Sequence, residues 1–307
     1  MSDTKNVLVA GASGVLGSHI THALEQHGYT VVSLGRGAGA DVMADIMNRD
    51  QLLRAVEGLR VDTVVHAATA LHDAPMKHAD MFATDDLRLI GTGNLVEAAK
   101  AVGARRMIAE SMVFGYGYGD FGDRVLTEND EFGTGGDKSL VGTAVVRHLE
   151  GMRVKEEQML NTPGIEGIAL RYGLFYGPGG TENVVAMLRK RFALPAVNDH
   201  GRVLPWVNLV DAGQAVALAV EGGVPGSAYN IADDHPLGFG EHIRMVADIF
   251  RTPKPFTVPG WMLTPMSYVH TMIRCNMRVS NAKAKAELGW KPQYPSCADG
   301  LRALAAA

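Results

Sequence analysis

The chain of 307 residues has only two cysteines, Cys275 and Cys297, and their spacing is not that of a metal site. Two such thiols cannot form a disulfide framework, so we expect free cysteines in a reducing, cytoplasmic environment. No apolar run approaches the roughly 20 residues that span a bilayer, and the first residues lack the pattern of a signal peptide. The net charge of -4 gives no reason to expect nucleic acid or a membrane surface as a partner.

Short apolar runs alternate with longer amphipathic segments through the first two-thirds of the chain. The predicted strands are Asn6–Ala10, Thr30–Leu34, Thr63–Ala67, Met107–Glu110 and Gly167–Arg171. The predicted helices are Gly14–His27, Arg49–Glu57, Asp86–Val102 and Val145–Leu160. This alternation predicts an α/β fold, a Rossmann-type doubly wound parallel sheet with a smaller C-terminal α/β substrate domain.

The change in composition after residue 176 suggests where the two domains divide. We predict a dinucleotide-binding domain at residues 1–176, to which residues 207–233 return, and a substrate-binding domain at residues 177–206 and 234–307. The glycine-rich stretch 115–136 interrupts the pattern and is either a functional lid or a disordered loop. A bulky apolar group forms either the core of the smaller domain or the wall of a substrate pocket; its members are Trp261, Met262, Met266, Tyr268 and Met272.

A glycine triplet, Gly11, Gly14 and Gly17, directly follows the first predicted strand and opens the first predicted helix. In this position the first glycine permits a tight turn, the second lets the backbone approach a pyrophosphate, and the third lets the helix pack on the sheet. The helix N-terminus offers free N–H groups to the anion. We therefore predict that a dinucleotide binds at residues 11–17, with Ser13, Val15 and Leu16 among its contacts.

The end of the second strand selects between the two nicotinamide dinucleotides. An NAD site usually carries a carboxylate there for the ribose 2′-hydroxyl, whereas Gly35 stands at that position and Arg36 follows. A guanidinium can hold a 2′-phosphate through two hydrogen bonds. The sequence therefore favours NADP over NAD. If the cofactor is NAD, Asp41 would be the displaced ligand of the ribose.

With these residues in hand, the chain resembles an extended short-chain dehydrogenase/reductase of the NAD-dependent epimerase/dehydratase group. The resemblance covers nearly the whole length and includes the motifs Ala44–Ile46, His66–Thr69, Gly91–Leu95, Leu170–Gly179, Val207–Ala212 and Glu287–Pro292. It implies that Asp45 and Ile46 contact the adenine. It also implies that Ala67, Ala68 and Thr69 flank the diphosphate and ribose, and that Tyr172 and Leu174 lie near the nicotinamide.

The chain departs from the family at the residues that carry its chemistry. Relatives use a Tyr-x-x-x-Lys pair on a helix, and the alignment puts Leu149 and Arg153 there. Using Lys155 as the lysine instead leaves Gly151 at the tyrosine. The family's serine or threonine falls on Met112, with Ser111 one residue earlier.

We name Ser111 and Tyr116 as candidate catalytic residues, with Ser111 also near the cofactor. Other titratable residues are interpreted as structural: His66 at a strand end, His148 in packing or at the surface, and Glu110 as a satisfied polar group rather than a carboxylate of raised pKa.

The sequence as a whole favours an NADP-dependent oxidoreductase or an epimerase/dehydratase-like enzyme. It would act on a small carbonyl or hydroxyl substrate by hydride transfer, with a nonstandard proton donor. The alternative is a catalytically silent dinucleotide-binding regulator or redox sensor. No metal is expected. Relatives form a dimer contact through the helices that correspond to 86–102 and 145–160, so the resemblance also implies a homodimer. An apolar stripe on the second helix, which burial within the monomer would partly explain equally well, comprises Val145, Val146, Leu149, Met152 and Met159.

Overall fold

A computed structural model of the chain describes residues 5–71, 73–135, 142–190 and 194–307. The strands are β1 (Asn6–Ala10), β2 (Thr30–Gly35), β3 (Val42–Met43), β4 (Thr63–His66), β5 (Arg106–Met112), β6 (Asp120–Leu126), β7 (Glu166–Tyr172), β8 (Leu174–Tyr176), β9 (Ala196–Val197), β10 (Trp206–Asn208), β11 (Ser227–Ile231), β12 (Thr257–Val258) and β13 (Asn276–Val279). Seven of them form one sheet in the order β3-β2-β1-β4-β5-β7-β11, and every pair of neighbours in it is parallel. The predicted fold class is confirmed.

The helices are α1 (Val15–Gln26), α2 (Arg49–Ala55), α3 (Phe82–Asp86), α4 (Thr92–Ala101), α5 (Thr143–Leu160), α6 (Thr181–Arg189), α7 (Leu209–Gly222), α8 (Phe239–Ile249), α9 (Ser267–Met272), α10 (Ala282–Glu287) and α11 (Cys297–Ala306). A π-helical turn, Leu87–Gly91, joins α3 to α4, so the helix predicted from Asp86 begins four residues earlier, at Phe82. Within the described residues, no helix is both long and apolar enough to cross a membrane.

Both faces of the sheet are buried, which explains the nearly continuous apolar strands. Successive residues of β1 point to opposite faces. Val7 and Val9 pack with α1 and α7, whereas Leu8 packs with α2 and α4 on the other side. The chain leaves β1 toward β2 and then returns to β4 on the other side of β1. The carboxyl edge between β1 and β4 is therefore the switch point, where ligands bind in such sheets.

The glycine-rich stretch is ordered throughout its described part, residues 115–135. It contains β6, which runs parallel to β13 near the end of the chain. Disorder is therefore the wrong alternative for these residues, and a role as a lid stays a prediction. This pairing was not foreseen because the two strands are separated by about half the chain.

The remaining two-stranded sheets, β8 with β10 and β9 with β12, lie in the part assigned to the smaller domain and its boundary. The bulky apolar residues predicted between 261 and 272 do not all belong to a core. Met272 is buried, whereas Trp261 keeps 72% of its surface exposed. β11 lies at the edge of the main sheet, inside the segment expected to return to the first domain. The domain limits themselves stay a prediction.

The apolar stripe on α5 is used largely inside the monomer. Val145, Leu149, Met152 and Met159 are buried, whereas Val146 is exposed. The homodimer accordingly stays a prediction.

Candidate functional site

The glycine triplet forms a turn in which two of its members have no room for a side chain. Gly11 has φ of +90°, and a Cβ there would lie 2.8 Å from backbone atoms of Ala67 and Ala68. A Cβ on Gly17 would lie 2.0 Å from the carbonyl oxygen of Gly11. The turn thus holds the end of β1, the start of α1 and the end of β4 in close contact.

Gly14 and the start of α1 leave a place for an anion. Gly14 is the N-cap and provides no side-chain hydrogen bond to the first turn. A Cβ on Gly14 would meet only the oxygen of Gly11, at 3.3 Å, so its other side is open. Helix N–H groups without intrahelical partners and the helix dipole both favour a phosphate at such an end.

The start of α1 forms one wall of a groove, and the loop after β8 forms the other. His19 Nε2 lies 2.8 Å from the carbonyl oxygen of Pro178, and Gly179 faces Val15. The groove is lined by Ser13, Gly14, Val15, Ser18, His19, Pro178 and Gly179. Among the predicted contacts, Ser13 and Val15 are exposed on this groove, whereas Leu16 is half-buried.

A larger groove of about 530 Å³ continues from the glycine turn toward the end of β2. Gly35 and Gly37 line it, and the exposed Arg36 stands between them. Asp41 is also on its wall, but Asp41 Oδ2 accepts hydrogen bonds from the backbone N–H and the hydroxyl of Ser33, at 2.9 and 2.6 Å. These bonds lower the pKa of Asp41 and commit one of its oxygens to β2.

The residues expected around the adenine differ in their freedom to reach a ligand. Asp45 is half-buried, and its Oδ1 accepts a hydrogen bond from the N–H of Met47. Ile46 is buried, and its carbonyl accepts a hydrogen bond from Asn94 Nδ2 at 2.8 Å. Ile46 has a clear packing role, and its contact with adenine stays a prediction.

The segment after β4 lies at the carboxyl edge of the sheet, beside the glycine turn. Ala67 donates its N–H to the carbonyl of Ala10, and Ala68 is half-buried next to Gly11. Thr69 Oγ1 lies 3.1 Å from Thr84 Oγ1 on α3. The structure therefore brings these predicted residues together with the glycine triplet.

The structure does not support the expected position of Tyr172 beside the nicotinamide. Tyr172 is fully buried in the core between the sheet and α7, and its hydroxyl donates to the carbonyl of Ala212 at 3.0 Å. Burial raises its pKa well above the ordinary value. Because its strand position points it into this core, Tyr172 is a packing residue. Leu174 is half-buried and borders a different apolar cluster.

Tyr116 is also misassigned as a catalytic candidate. Its hydroxyl donates to Asn230 Oδ1 at 2.8 Å and accepts from Arg171 Nη1 at 2.9 Å, and the residue is buried. Burial, only partly offset by Arg171, raises the pKa of Tyr116 to about 12. A hydroxyl held on both sides in the interior is structural.

Ser111 is 1% exposed, and its Oγ has no hydrogen-bond partner among the described residues. Its position in β5 puts it level with Arg171 of β7. The structure brings it to the carboxyl end of the sheet but not to the surface of either groove. Its catalytic and cofactor roles remain predictions.

The helix that carries the tyrosine and lysine in relatives has no tyrosine in this chain. Leu149 is buried in an apolar cluster, and Arg153 pairs with Glu157 at 2.7 Å near the surface. Lys155 is 1% exposed, and its Nζ donates to Glu110 Oε2 at 2.9 Å. The side chain of Lys155 on α5 is therefore paired with Glu110 of β5.

Glu110 is a satisfied polar group, as expected, and the alternative of a raised pKa is wrong. Burial alone would raise the pKa of Glu110, but the charges of Lys155 and Arg88 outweigh burial and lower it. His66 is likewise structural. Its Nε2 lies 3.2 Å from Thr92 Oγ1, and burial lowers its pKa well below the ordinary value.

A chain of buried polar groups beside Thr84 was missed from the sequence. His148 Nδ1 lies 2.6 Å from Asp85 Oδ2, His148 Nε2 lies 2.9 Å from His78 Nδ1, and His78 Nε2 lies 3.1 Å from Thr271 Oγ1. The interpretation of His148 as a surface or packing residue is therefore too simple. The available signal was its place next to Leu149, where the family's tyrosine is expected.

Replacing Gly17 with alanine is expected to weaken binding of the predicted dinucleotide at least tenfold, because the new Cβ would collide with the Gly11 carbonyl and shift the turn. Overpacking of this kind costs about 1–3 kcal/mol. Fluorescence titration with NADPH measures the affinity. Gly222→Ala at the end of α7 is the control, because a Cβ there meets no atom within 4 Å. Equal NADPH affinities of the two variants would contradict the role of the turn.

The fold and these grooves define a dinucleotide-binding α/β protein, and the comparison with known families gives its class. The model of the NAD dependent epimerase/dehydratase family matches residues 7–232, and the chain belongs to that family. This membership makes it an enzyme of the NAD(P)-dependent oxidoreductase and epimerase type, and a nicotinamide dinucleotide is its class of cofactor.

Individual relatives have several activities. The chain is 34% identical over 314 residues to a 3-diazoavenalumate denitrifying reductase from Streptomyces sp, with 96% of this chain and 98% of the relative covered. It is 28% identical over 230 residues to a dTDP-4-dehydrorhamnose reductase from Streptomyces griseus, with 73% and 69% covered.

Solved structures share the fold across nearly the whole chain. The human epimerase family protein SDR39U1 (isoform2) with NADPH has a TM-score of 0.80 at 16% identity, covering 98% of this chain and 99% of that one. DesIV, a dTDP-glucose 4,6-dehydratase from Streptomyces venezuelae with NAD and TYD bound, has a TM-score of 0.75 at 22% identity, covering 98% and 96%. These likenesses concern the fold alone.

Proposed function

We propose that the protein is an NADP-dependent oxidoreductase that reduces a small carbonyl substrate, or oxidises the corresponding alcohol, with a proton donor other than the helix tyrosine of its relatives. The observation that carries the choice of NADP is the exposed Arg36 between two groove-lining glycines, with the nearby Asp41 tied to Ser33. A guanidinium at this point suits a 2′-phosphate, and Asp41 Oδ2, on the same wall, is already held by Ser33.

The residues present fit a dinucleotide. The N–H groups at the start of α1 and the open side of Gly14 would hold the diphosphate, and Gly11 and Gly17 keep this turn in place. Ala67, Ala68 and Thr69 would border the ribose on the β4 side. When bound, the nicotinamide supplies or accepts a hydride. The chain itself must provide the orientation of the substrate and the proton.

Titration of the protein with NADPH and NADH tests the proposal. We expect NADPH to bind more tightly, and Arg36→Ala to weaken NADPH binding by about 10- to 100-fold, the value of a charge-assisted contact of about 1.5–3 kcal/mol. NADH affinity should be unchanged. Arg54→Ala on α2, also exposed, is the matched control. Tighter binding of NADH, or an Arg36→Ala variant with unchanged affinity for NADPH, would refute the choice of NADP.

Turnover assays of NADPH oxidation with a panel of hydride acceptors separate this function from two others. NADPH that binds but is oxidised by no acceptor would favour the silent regulator or redox sensor. The relative named as a denitrifying reductase of a diazo compound suggests a second acceptor class. Hydride addition to a diazonium nitrogen gives a diazene that releases N₂, and this addition consumes no proton. This reaction does not need the proton donor that is missing from α5. An aryldiazonium salt therefore belongs in the panel of acceptors.

A further inference from the structure

The side chain of His19 joins the two walls of the groove at the start of α1. His19 is half-buried on α1, and its Nε2 lies 2.8 Å from the carbonyl oxygen of Pro178 on the opposite wall. A carbonyl oxygen can only accept, so Nε2 carries the proton of this hydrogen bond. Since the cationic imidazole also has a proton on Nε2, the bond forms in both charge states of the ring.

The opposite wall is a short turn, residues 177–180, between β8 and α6. The N–H groups of Gly180 and Thr181 both donate to the carbonyl oxygen of Gly177, at 3.1 and 2.9 Å. The N–H of Gly177 in turn donates to Thr181 Oγ1 at 2.9 Å. These three bonds close the base of the turn on itself, so the base does not depend on α1.

The tip of this turn, Pro178 and Gly179, is held by α1. Gly179 is exposed and has φ of +85°, a backbone conformation that other residues rarely adopt, and a Cβ on it would lie 3.1 Å from Val15 Cγ1. Among the described residues, the bond from His19 to Pro178 is the one hydrogen bond that ties the tip to the helix. The position of the tip therefore depends on His19.

The helix that carries His19 has little freedom to shift. Gly213 of α7 packs so closely on α1 that a Cβ there would lie 2.5 Å from the carbonyl oxygen of His19. A Cβ on Gly17, at the start of the same helix, would lie 2.0 Å from the carbonyl oxygen of Gly11. Because the helix is fixed on two sides, the bond from His19 restrains the turn and not the helix.

Both walls border the place where the diphosphate of a dinucleotide is expected. The groove, about 370 Å³ in volume, has Gly14 and the start of α1 on one side and the tip of the turn on the other. A diphosphate held by the N–H groups at this helix end would lie beside both walls. A wall that is already in position spares the cofactor the cost of ordering it on binding.

We propose that His19 is a positioning residue for the dinucleotide: through its bond to Pro178 it holds the 177–180 turn against α1 as the second wall of the diphosphate site. This proposal rests on the binding of the dinucleotide proposed above. The diphosphate is common to NADPH and NADH, so loss of the bond should weaken the binding of both equally. Loss of Arg36, in contrast, should affect NADPH alone.

The first measurement follows amide hydrogen exchange in the protein without cofactor. His19→Leu removes the donor, whereas the side-chain amide of His19→Gln can still donate to the carbonyl oxygen of Pro178. We expect the amides of Gly180 and Thr181 to exchange about 3- to 10-fold faster in His19→Leu, the equivalent of one hydrogen bond, and at nearly the wild-type rate in His19→Gln. Unchanged exchange in His19→Leu would overturn the proposal.

The second measurement is the release of NADPH and of NADH, followed by stopped-flow fluorescence. In His19→Leu the dissociation rate of each dinucleotide should rise about 3- to 10-fold with little change in the association rate, because mutations in a binding site act mostly on dissociation. His19→Gln should release both at nearly the wild-type rate. His235→Leu, at an exposed histidine after β11 that lines neither groove, is the control.

The outcomes distinguish this proposal from the choice of NADP. If NADPH leaves His19→Leu at the wild-type rate, the positioning role is refuted and the choice of NADP stands. If His19→Leu releases both dinucleotides faster but the wild type binds NADH more tightly, the choice of NADP fails and the positioning role stands. A wild-type protein that binds neither dinucleotide would refute both. If both His19 variants lose affinity together with resistance to urea, His19 is a structural residue, and the positioning role is refuted.

Discussion

Replacing Glu156 with alanine is expected to lower the free energy of unfolding by about 3–5 kcal/mol, the cost of leaving a buried charge without its partner. Glu156 on α5 binds Arg171 of β7 through two bonds, Nε to Oε1 at 3.0 Å and Nη2 to Oε2 at 2.7 Å. Both side chains are buried. Burial alone would lower the pKa of Arg171, but Glu156 and Tyr116 raise it. Because a guanidinium is not deprotonated in proteins, Arg171 stays charged in the variant, without its partner.

The adjacent residue provides the control. Glu157 pairs with Arg153 on the same helix, but this pair is near the surface. Exposed pairs contribute about 0–1 kcal/mol, so Glu157→Ala should have little effect. Urea unfolding of the two variants measures the difference. The interpretation of the Arg171 site is wrong if Glu156→Ala costs no more than Glu157→Ala.

The parts of the structure that could be predicted are those where local pattern and tertiary contact agree. β1 has the predicted bounds because every residue between Val7 and Ala10 is buried on one face or the other. The glycine triplet could be identified because the tight turn and the close backbone contacts admit no side chain at Gly11 and Gly17. Such steric requirements are visible in a single sequence.

The assignments that failed depend on contacts between distant segments. Tyr172 lies on the strand face that packs against α7, so its hydroxyl reaches Ala212 and not the cofactor edge. Tyr116 is held by Asn230, more than a hundred residues later. The hydrophobic pattern of the sequence predicts the strands, but it does not predict the hydrogen-bond partner of each tyrosine hydroxyl.

The hydrogen-bonded chain from Asp85 through His148 and His78 to Thr271 was missed for the same reason. Asp85 and His148 lie on two helices that pack together, and Thr271 comes from α9. A lone histidine on an apolar helix face is usually a packing residue, and only the carboxylate 63 residues away changes that interpretation.

The second large effect is expected at Glu110. Glu110→Leu should destabilise the protein by about 3–5 kcal/mol near neutral pH, because Lys155 and Arg88 would be left as neighbouring buried cations. The double variant Glu110→Leu/Lys155→Met removes the lysine charge as well and should recover most of this loss. Glu97→Ala, which breaks the exposed pair with Arg49, is the control and should have little effect.

The pH dependence identifies the cause of the loss. Burial lowers the pKa of Lys155 even with Glu110 present, and without Glu110 it should fall further. A lysine whose pKa is lower in the folded than in the unfolded state costs stability once the pH drops below its unfolded value of about 10.4. The deficit of Glu110→Leu should therefore shrink as the pH is raised from about 7 toward that value, whereas the double variant should not show this recovery. Urea unfolding at several pH values measures both, and a deficit in Glu110→Leu that does not change with pH would mean that lost packing, and not the unpaired lysine, is responsible.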